Sequence, residues 1–188
     1  MKAILQQGEG DKVLRKEAQE IPIEEITSPK IKKIIKEMTE ALRSQDDGVA
    51  LAAPQVGYSL SLFVVSGRIF DESFLENRDG KETEISPLPV PEAKKEVPKD
   101  LVFINPKISK LSRDKEWLPE GCLSVRWLYG EVRRSKKATV TAYDENGKKF
   151  TRGASGLLAQ IFQHETDHLK GVLFIDLAKD VRDEPPQV

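Results

Sequence analysis

Two histidines occur in the 188 residues, His164 and His168, and both fall in the run QHETDHL at 163–169. Residues four apart on a helix are separated by about 40° around its axis, so two imidazoles at that spacing can grip one metal ion. Glu165 follows the first histidine, where its carboxylate can reach a water bound to such an ion and take its proton. The pattern His-Glu-x-x-His therefore points to metal-dependent hydrolysis. The bland alternative is a pair of helix histidines that only hydrogen-bond to the core.

A hydrolytic metal needs a third protein ligand and an open fourth position. No third histidine exists, which leaves a carboxylate or the single cysteine, Cys122, in EGCLS at 120–124. Cys122 is the better candidate. A thiolate with two neutral imidazoles leaves one tetrahedral corner for water, and Gly121 permits close backbone approach. Standing alone, Cys122 would read as an inert buried thiol. One cysteine also excludes an internal disulfide framework.

The elements that must position these residues are read from patterning. Leu157, Ile161, His164 and His168 lie at i, i+4, i+7 and i+11 of a helix over about 155–169. The histidines thus continue an apolar face and are expected to point inward, where a shared metal removes the cost of burying them unpaired. Residues 25–44 read as an amphipathic helix with Ile31, Ile34, Ile35, Met38 and Leu42 on one stripe, opened by Ser28 and Pro29. GVALAAPQVG at 48–57 breaks that pattern and reads as extended. Leu62 to Val65 and Leu101 to Ile104 are strand candidates, the second stopped by Pro106. Val140 to Tyr143 and Phe150 to Arg152 flank an Asn146-Gly147 turn, a hairpin signal. After the second helix come GVLFID and a polar tail ending in Pro185-Pro186.

The class is α+β, with mixed or antiparallel strands packed around a C-terminal helix carrying HExxH. One compact domain over 1–188 is expected. Within it, 67–100, with four prolines and many charges, reads as a surface insertion without chemistry. Thirty basic against thirty-one acidic residues argue against a general nucleic-acid binder. No run approaches the roughly 20 apolar residues of a membrane helix. The start, MKAILQQGEGDKVLRK, lacks a signal-peptide core, so the cytoplasm is the expected compartment.

GVALAAPQ at 48–55, EGCLS at 120–124 and QHETDHL at 163–169 resemble, in order, the three motifs of the peptide deformylases. LVFINP at 101–106 and GLLAQIFQHETDHLKGVLFID at 156–176 also look like that family. The resemblance implies hydrolysis of the N-formyl group from the formyl-methionine of nascent polypeptides, with release of formate. It implies that Cys122, His164 and His168 bind one divalent metal, typically Fe2+ in the cell, with Zn2+, Ni2+ or Co2+ as substitutes. It implies that Glu165 takes a proton from water and returns it to the leaving amine, while Gln55 and the N–H of Leu123 hold the formyl oxygen as it becomes negative. Gly48, Val49 and Ala50 would pair with the substrate backbone like an added strand, their small size leaving room for the peptide. Val49, Leu123, Trp127 and the apolar face near Phe162 are candidate walls for the methionine side chain. N-formyl-methionyl peptides are the implied partners, with transient ribosome contact.

Some positions depart from the family pattern. Ala50 stands where glycine is usual, and Arg126 and Trp127 stand near a usual proline, which bears on the cleft's shape. The chain lacks the long basic C-terminal helix of some members, so ribosome docking through such a helix is not expected. Two other readings compete: an HExxH endopeptidase with a third histidine or carboxylate ligand, and a metal-stabilised binding module in which Glu165 has no role.

Overall fold

The computed structural model describes residues 2–71 and 98–186. A short helix α1 spans Asp11–Leu14, and α2 spans Pro29–Arg43. The Ser28 hydroxyl accepts from the Ile31 N–H at 3.3 Å, and Pro29 occupies the first turn, so α2 begins there and not at 25. Residues Ile23–Glu25 form a separate 3-10 turn.

Five strands form one antiparallel sheet in the order β1-β2-β3-β6-β7: β1 (Ala50–Ala52), β2 (Leu62–Val65), β3 (Leu101–Leu111), β6 (Lys137–Tyr143) and β7 (Lys149–Ser155). A second sheet has the order β4-β5-β8, from β4 (Lys115–Cys122), β5 (Val125–Ser135) and β8 (Lys179–Asp183). Helix α3 spans Gly156–His168 and packs against β1, β3, β6 and β7 of the first sheet and β5 of the second.

Both faces of the first sheet are covered at its centre, which is why β2 and the start of β3 read as unbroken apolar runs. Leu51, Leu62, Val64, Val102 and Ile104 meet the α2 stripe of Ile31, Ile34, Met38 and Leu42. The alternate residues Phe63, Val65 and Phe103 meet Ala159, Ile161 and Phe162 of α3. The Phe63 and Phe103 rings stack at 4.6 Å, and Phe162 meets Phe103 edge-on at 5.1 Å. A third cluster of Val125, Val132, Leu173 and Phe174 sits behind the second sheet.

Several sequence expectations are corrected. Pro106 does not end β3. The strand shifts register between Ile104 and Lys107, with Asn105 at φ 49°, and a bulge tolerates the missing N–H. The Asn105 amide holds that bend by accepting from the Ile21 N–H at 2.8 Å and donating to the Ile21 carbonyl at 2.7 Å. The segment 48–57 is extended only over Ala50–Ala52. Ala53–Val56 is a 3-10 turn closed by Gly57 at φ 86°. The polar tail contributes β8, whose five exposed residues show no apolar alternation. Residues 72–97 lie outside the described set. Their flanks meet, because the Gly67 N–H donates to Asp100 Oδ1 at 2.9 Å.

Phe162→Ala should cost about 3–5 kcal/mol, because the ring is fully enclosed between α3 and the first sheet. Urea unfolding of the variant against the parent measures it.

Candidate metal centre

The three predicted ligands converge. Cys122 ends β4, and His164 and His168 lie one turn apart on α3, with their ligating atoms all within 4.8 Å of one another. Cys122 Sγ is 3.2 Å from His168 Nε2. A tetrahedral site with metal–sulfur and metal–nitrogen bonds of ordinary length has edges of about 3.5 Å, so the donors fit one ion. His164 Nδ1 is engaged by Glu120 Oε2 at 2.9 Å, which leaves Nε2 as its ligating atom. The rings stand nearly perpendicular, with centroids 4.9 Å apart. His168 is buried as the helix face implied, while His164 is partly open to the cleft.

Glu120, the first residue of the cysteine motif, has a role that motif reasoning missed. Its carboxylate accepts from Arg134 Nε at 2.7 Å and Nη2 at 3.0 Å as well as meeting His164. Arg134 then donates from Nη1 to Asp167 Oδ2 at 2.6 Å. Glu120 is thus committed to a cation and an imidazole, and among the described residues the metal-ligand group contains no carboxylate. Gln163 was also missed. Its amide accepts from the Ser135 N–H at 2.9 Å and donates to the carbonyls of Ser135 and Ala159, locking α3 onto β5.

These contacts push the titrating groups apart. Burial alone would raise Glu120, but His164 and Arg134 outweigh it and hold the carboxyl down to about 2. Burial opposes charge on His164, yet the Cys122 sulfur and Glu120 lift it well above its usual value. Burial, with His164 beside it, drives His168 well below its own. Glu165 is pushed up to about 7 by burial, and the negative Glu120 and Asp167 outside its own contacts add to the push against the pull of His164. Its Oε2 is buried without a hydrogen-bond partner among the described residues.

The remaining site residues surround a cleft of about 380 Å³. Gln55 Oε1 accepts from the Ala52 N–H at 2.8 Å, which fixes the amide orientation and aims Nε2 at Ser124 Oγ (3.2 Å) and Cys122 Sγ (3.5 Å). The Leu123 carbonyl accepts from Gln6 Nε2 at 2.9 Å, and the Leu5 N–H donates to the Gln55 carbonyl at 2.7 Å, so the N-terminal segment fastens both motifs. Strand β1 is an edge of its sheet, and Gly48, Val49 and Ala50 line the cleft. The Val49 carbonyl is spent on the Ser66 N–H at 2.8 Å, so by strand alternation the Ala50 N–H and carbonyl face the open edge.

Packing also requires Gly48 to be small: an added Cβ would lie 2.9 Å from Leu42 near the end of α2. Ala50 takes no left-handed backbone, and its methyl joins the cluster around Phe63. Val49, Leu123 and Trp127 line the cleft as expected, and so does the apolar helix face near Phe162, although the Phe162 ring itself does not. The core encloses that ring, and Leu157 and Ile161 of the face form the wall.

The polypeptide deformylase family profile matches residues 1–184. Peptide deformylase 1A, chloroplastic, of Solanum lycopersicum is 40% identical over 167 residues, which span 89% of this chain and 56% of that relative. Peptide deformylase 2 of Clostridium acetobutylicum is 34% identical over 171 residues, 90% of this chain and 91% of the relative. The structure of a peptide deformylase from Synechococcus elongatus in complex with actinonin is similar at a TM-score of 0.71 and 34% identity, over 95% of this chain and 79% of that one.

Because Glu120 is ionised more easily folded than unfolded, its contribution to stability is present above pH 4.5 and is lost as pH falls from there toward about 2. Glu120→Gln should remove that acid dependence, on the order of 3 kcal/mol. It should also weaken zinc binding about 10- to 100-fold by freeing the His164 ring. Urea titrations across that pH range and competition with a chromogenic chelator measure the two effects.

Proposed function

The chain belongs to the polypeptide deformylase family, whose reaction is the metal-dependent hydrolysis of a linear amide, and from that membership we propose that it removes the N-formyl group from the formyl-methionine of nascent polypeptides. The observation that carries the reading is the meeting of Cys122, His164 and His168 at one point beside a buried, unpartnered carboxylate oxygen of Glu165. A divalent ion held by those three residues supplies Lewis acidity and brings the ionisation of water toward neutral pH.

The chain's own residues do the rest. Glu165 accepts the proton of the attacking water, and its burial makes it a stronger base than an exposed glutamate. It then carries that proton to the departing amine, so that formate and a free N-terminus are released. Gln55 Nε2 and the Leu123 N–H donate to the formyl oxygen as charge develops on it. The open edge of Gly48–Ala50 pairs with the peptide backbone, and the wall of Val49, Leu123, Trp127, Leu157 and Ile161 takes the methionine side chain.

We assign ferrous iron as the ion in the cell, with zinc, nickel or cobalt able to replace it. A thiolate beside two imidazoles suits soft and borderline divalent ions. The working partners are N-formyl-methionyl chains, met in transient contact with the ribosome in the cytoplasm. Among the described residues no helix is long and apolar enough to cross a membrane. The competing endopeptidase reading needs a third ligand other than sulfur.

Anaerobically prepared protein should release formate from a formyl-methionyl peptide in proportion to bound metal measured on the same sample. Glu165→Gln should keep the metal and lose about 10³-fold in kcat, whereas Cys122→Ala should lose the metal. An enzyme that cuts internal peptide bonds and tolerates Cys122→Ala would refute the proposal. Since the base must be ionised, kcat/KM should fall on the acid side with a midpoint at or below about 7, a cation nearby drawing it down.

A further inference from the structure

Arg126 joins two walls of the cleft. It sits at the start of β5, four residues past Cys122, and its guanidinium reaches the segment ahead of β1. Nη1 donates to Asp47 Oδ2 at 2.6 Å, and Nη2 donates to Asp47 Oδ1 at 3.1 Å and to Gln45 Oε1 at 2.9 Å. The guanidinium also lies over the Trp127 ring, 4.9 Å from its centroid. The Arg126 side chain is 20% exposed against 57% for Asp47. Both residues line the cleft with Gly48, Val49 and Ala50.

An exposed ion pair of ordinary geometry contributes little. This one is bidentate, shielded on the arginine side and stacked on an aromatic, which is the arrangement that holds two segments in register. The segment it holds is the one that leads into the open edge of β1. Asp47 immediately precedes Gly48, so a shift of Asp47 is passed directly to the backbone groups facing the cleft. The wall it holds that segment against carries Leu123 and Trp127.

We propose that the Arg126–Asp47 pair is a cross-cleft tie that sets the spacing between the β1 edge and the 122–129 wall, and so governs binding of the substrate residues that follow formyl-methionine. Arg126 is a positioning and specificity-determining residue with no part in bond breaking. The inference rests on the peptide-binding reading above. A substrate with backbone beyond its first residue can lie along the edge, whereas formyl-methioninamide has none to offer.

The test compares formyl-Met-Ala-Ser with formyl-methioninamide as substrates of metal-loaded protein. Arg126→Met and Asp47→Asn should each raise KM for the tripeptide about tenfold and KM for the amide, which uses only the methionine wall, by much less, with kcat held within about twofold for both. The double variant should be no worse than either single, since both remove one tie. Arg126→Lys should restore only part, because an ammonium cannot reproduce the bidentate fork. Asp47→Asn, at an exposed position, keeps the test valid if an Arg126 variant folds poorly. Additive losses in the double variant, equal losses on both substrates, a fall in kcat, or unchanged KM would each overturn the tie. If the parent protein releases formate from neither substrate, the deformylase reading fails first, a result distinct from active parent protein with unaffected variants.

Discussion

The centre depends on a carboxylate kept ionised in surroundings that should neutralise it. Glu120 is 6% exposed, and a buried charge of that kind persists only when paired and hydrogen-bonded. Arg134 supplies the pairing through a fork and His164 supplies a further donor. Asp167 then compensates the second side of Arg134. The result is a row of alternating charge, Asp167, Arg134 and Glu120, that ends on the His164 ring and runs from α3 through β5 to β4 and back to α3. It seats the helix against the second sheet by directional contacts, while apolar packing seats its other side against the first. A helix held only by Phe162 and Ile161 could roll; one tied at both His164 and Asp167 cannot do so without unpairing a buried charge.

The same row divides labour between two glutamates. Glu120 has the Arg134 fork on one side and the His164 ring N–H on the other and stays charged down to about 2, so it orients and does not exchange protons near neutrality. Glu165 is as deeply buried but has no arginine of its own, and Glu120 and Asp167 repel its charge from beyond its contacts, leaving it poised at about 7. Environments that push two carboxylates apart suit one to a strut and the other to the proton carrying proposed for Glu165. The repulsion is useful only because Glu120 cannot yield: were it to protonate first, Glu165 would lose part of the field that makes it a base.

What was legible in the sequence follows from what is local. His164 and His168 were readable because helical spacing alone brings them to one face, with Glu165 next to the first, and Cys122 because no other thiol competes. The Ser28-Pro29 start of α2 and the two-sided burial of β2 are likewise carried by neighbouring residues. Glu120 was not readable as a strut, though it adjoins Cys122. Its partner Arg134 lies 14 positions on and meets it only through the β4–β5 pairing. β4, with Pro119 and Gly121 inside it and exposed residues alternating with half-buried ones, carries no strong apolar signal, and the buried positions of β5 include Gly130, Arg134 and Ser135. β8 escaped for the same reason, since pairing to β5 makes it a strand and not its composition. Pro106 misled because a bulge, pinned by the Asn105 amide from outside the strand, absorbed the donor it lacks. The apolar face near Phe162 was readable as a cleft wall through Leu157 and Ile161, while the helix turns the Phe162 ring into the core.

An unpaired strand edge invites association with other chains, and β1 manages that hazard by brevity. Three residues, entered from a glycine wedged on α2 and left through a 3-10 turn, offer few backbone groups outward. Each hydrogen bond made there contributes only about 1 kcal/mol net, too little to hold an arbitrary extended segment. Stable engagement therefore requires something more: a terminal group seated at the Cys122, His164 and His168 centre and an apolar side chain in the neighbouring wall. Backbone pairing is indifferent to sequence, and an apolar wall accepts one side chain regardless of those that follow. An edge this short thus suits a catalyst for chain ends, able to serve many different proteins while giving the interior of any chain almost nothing to bind.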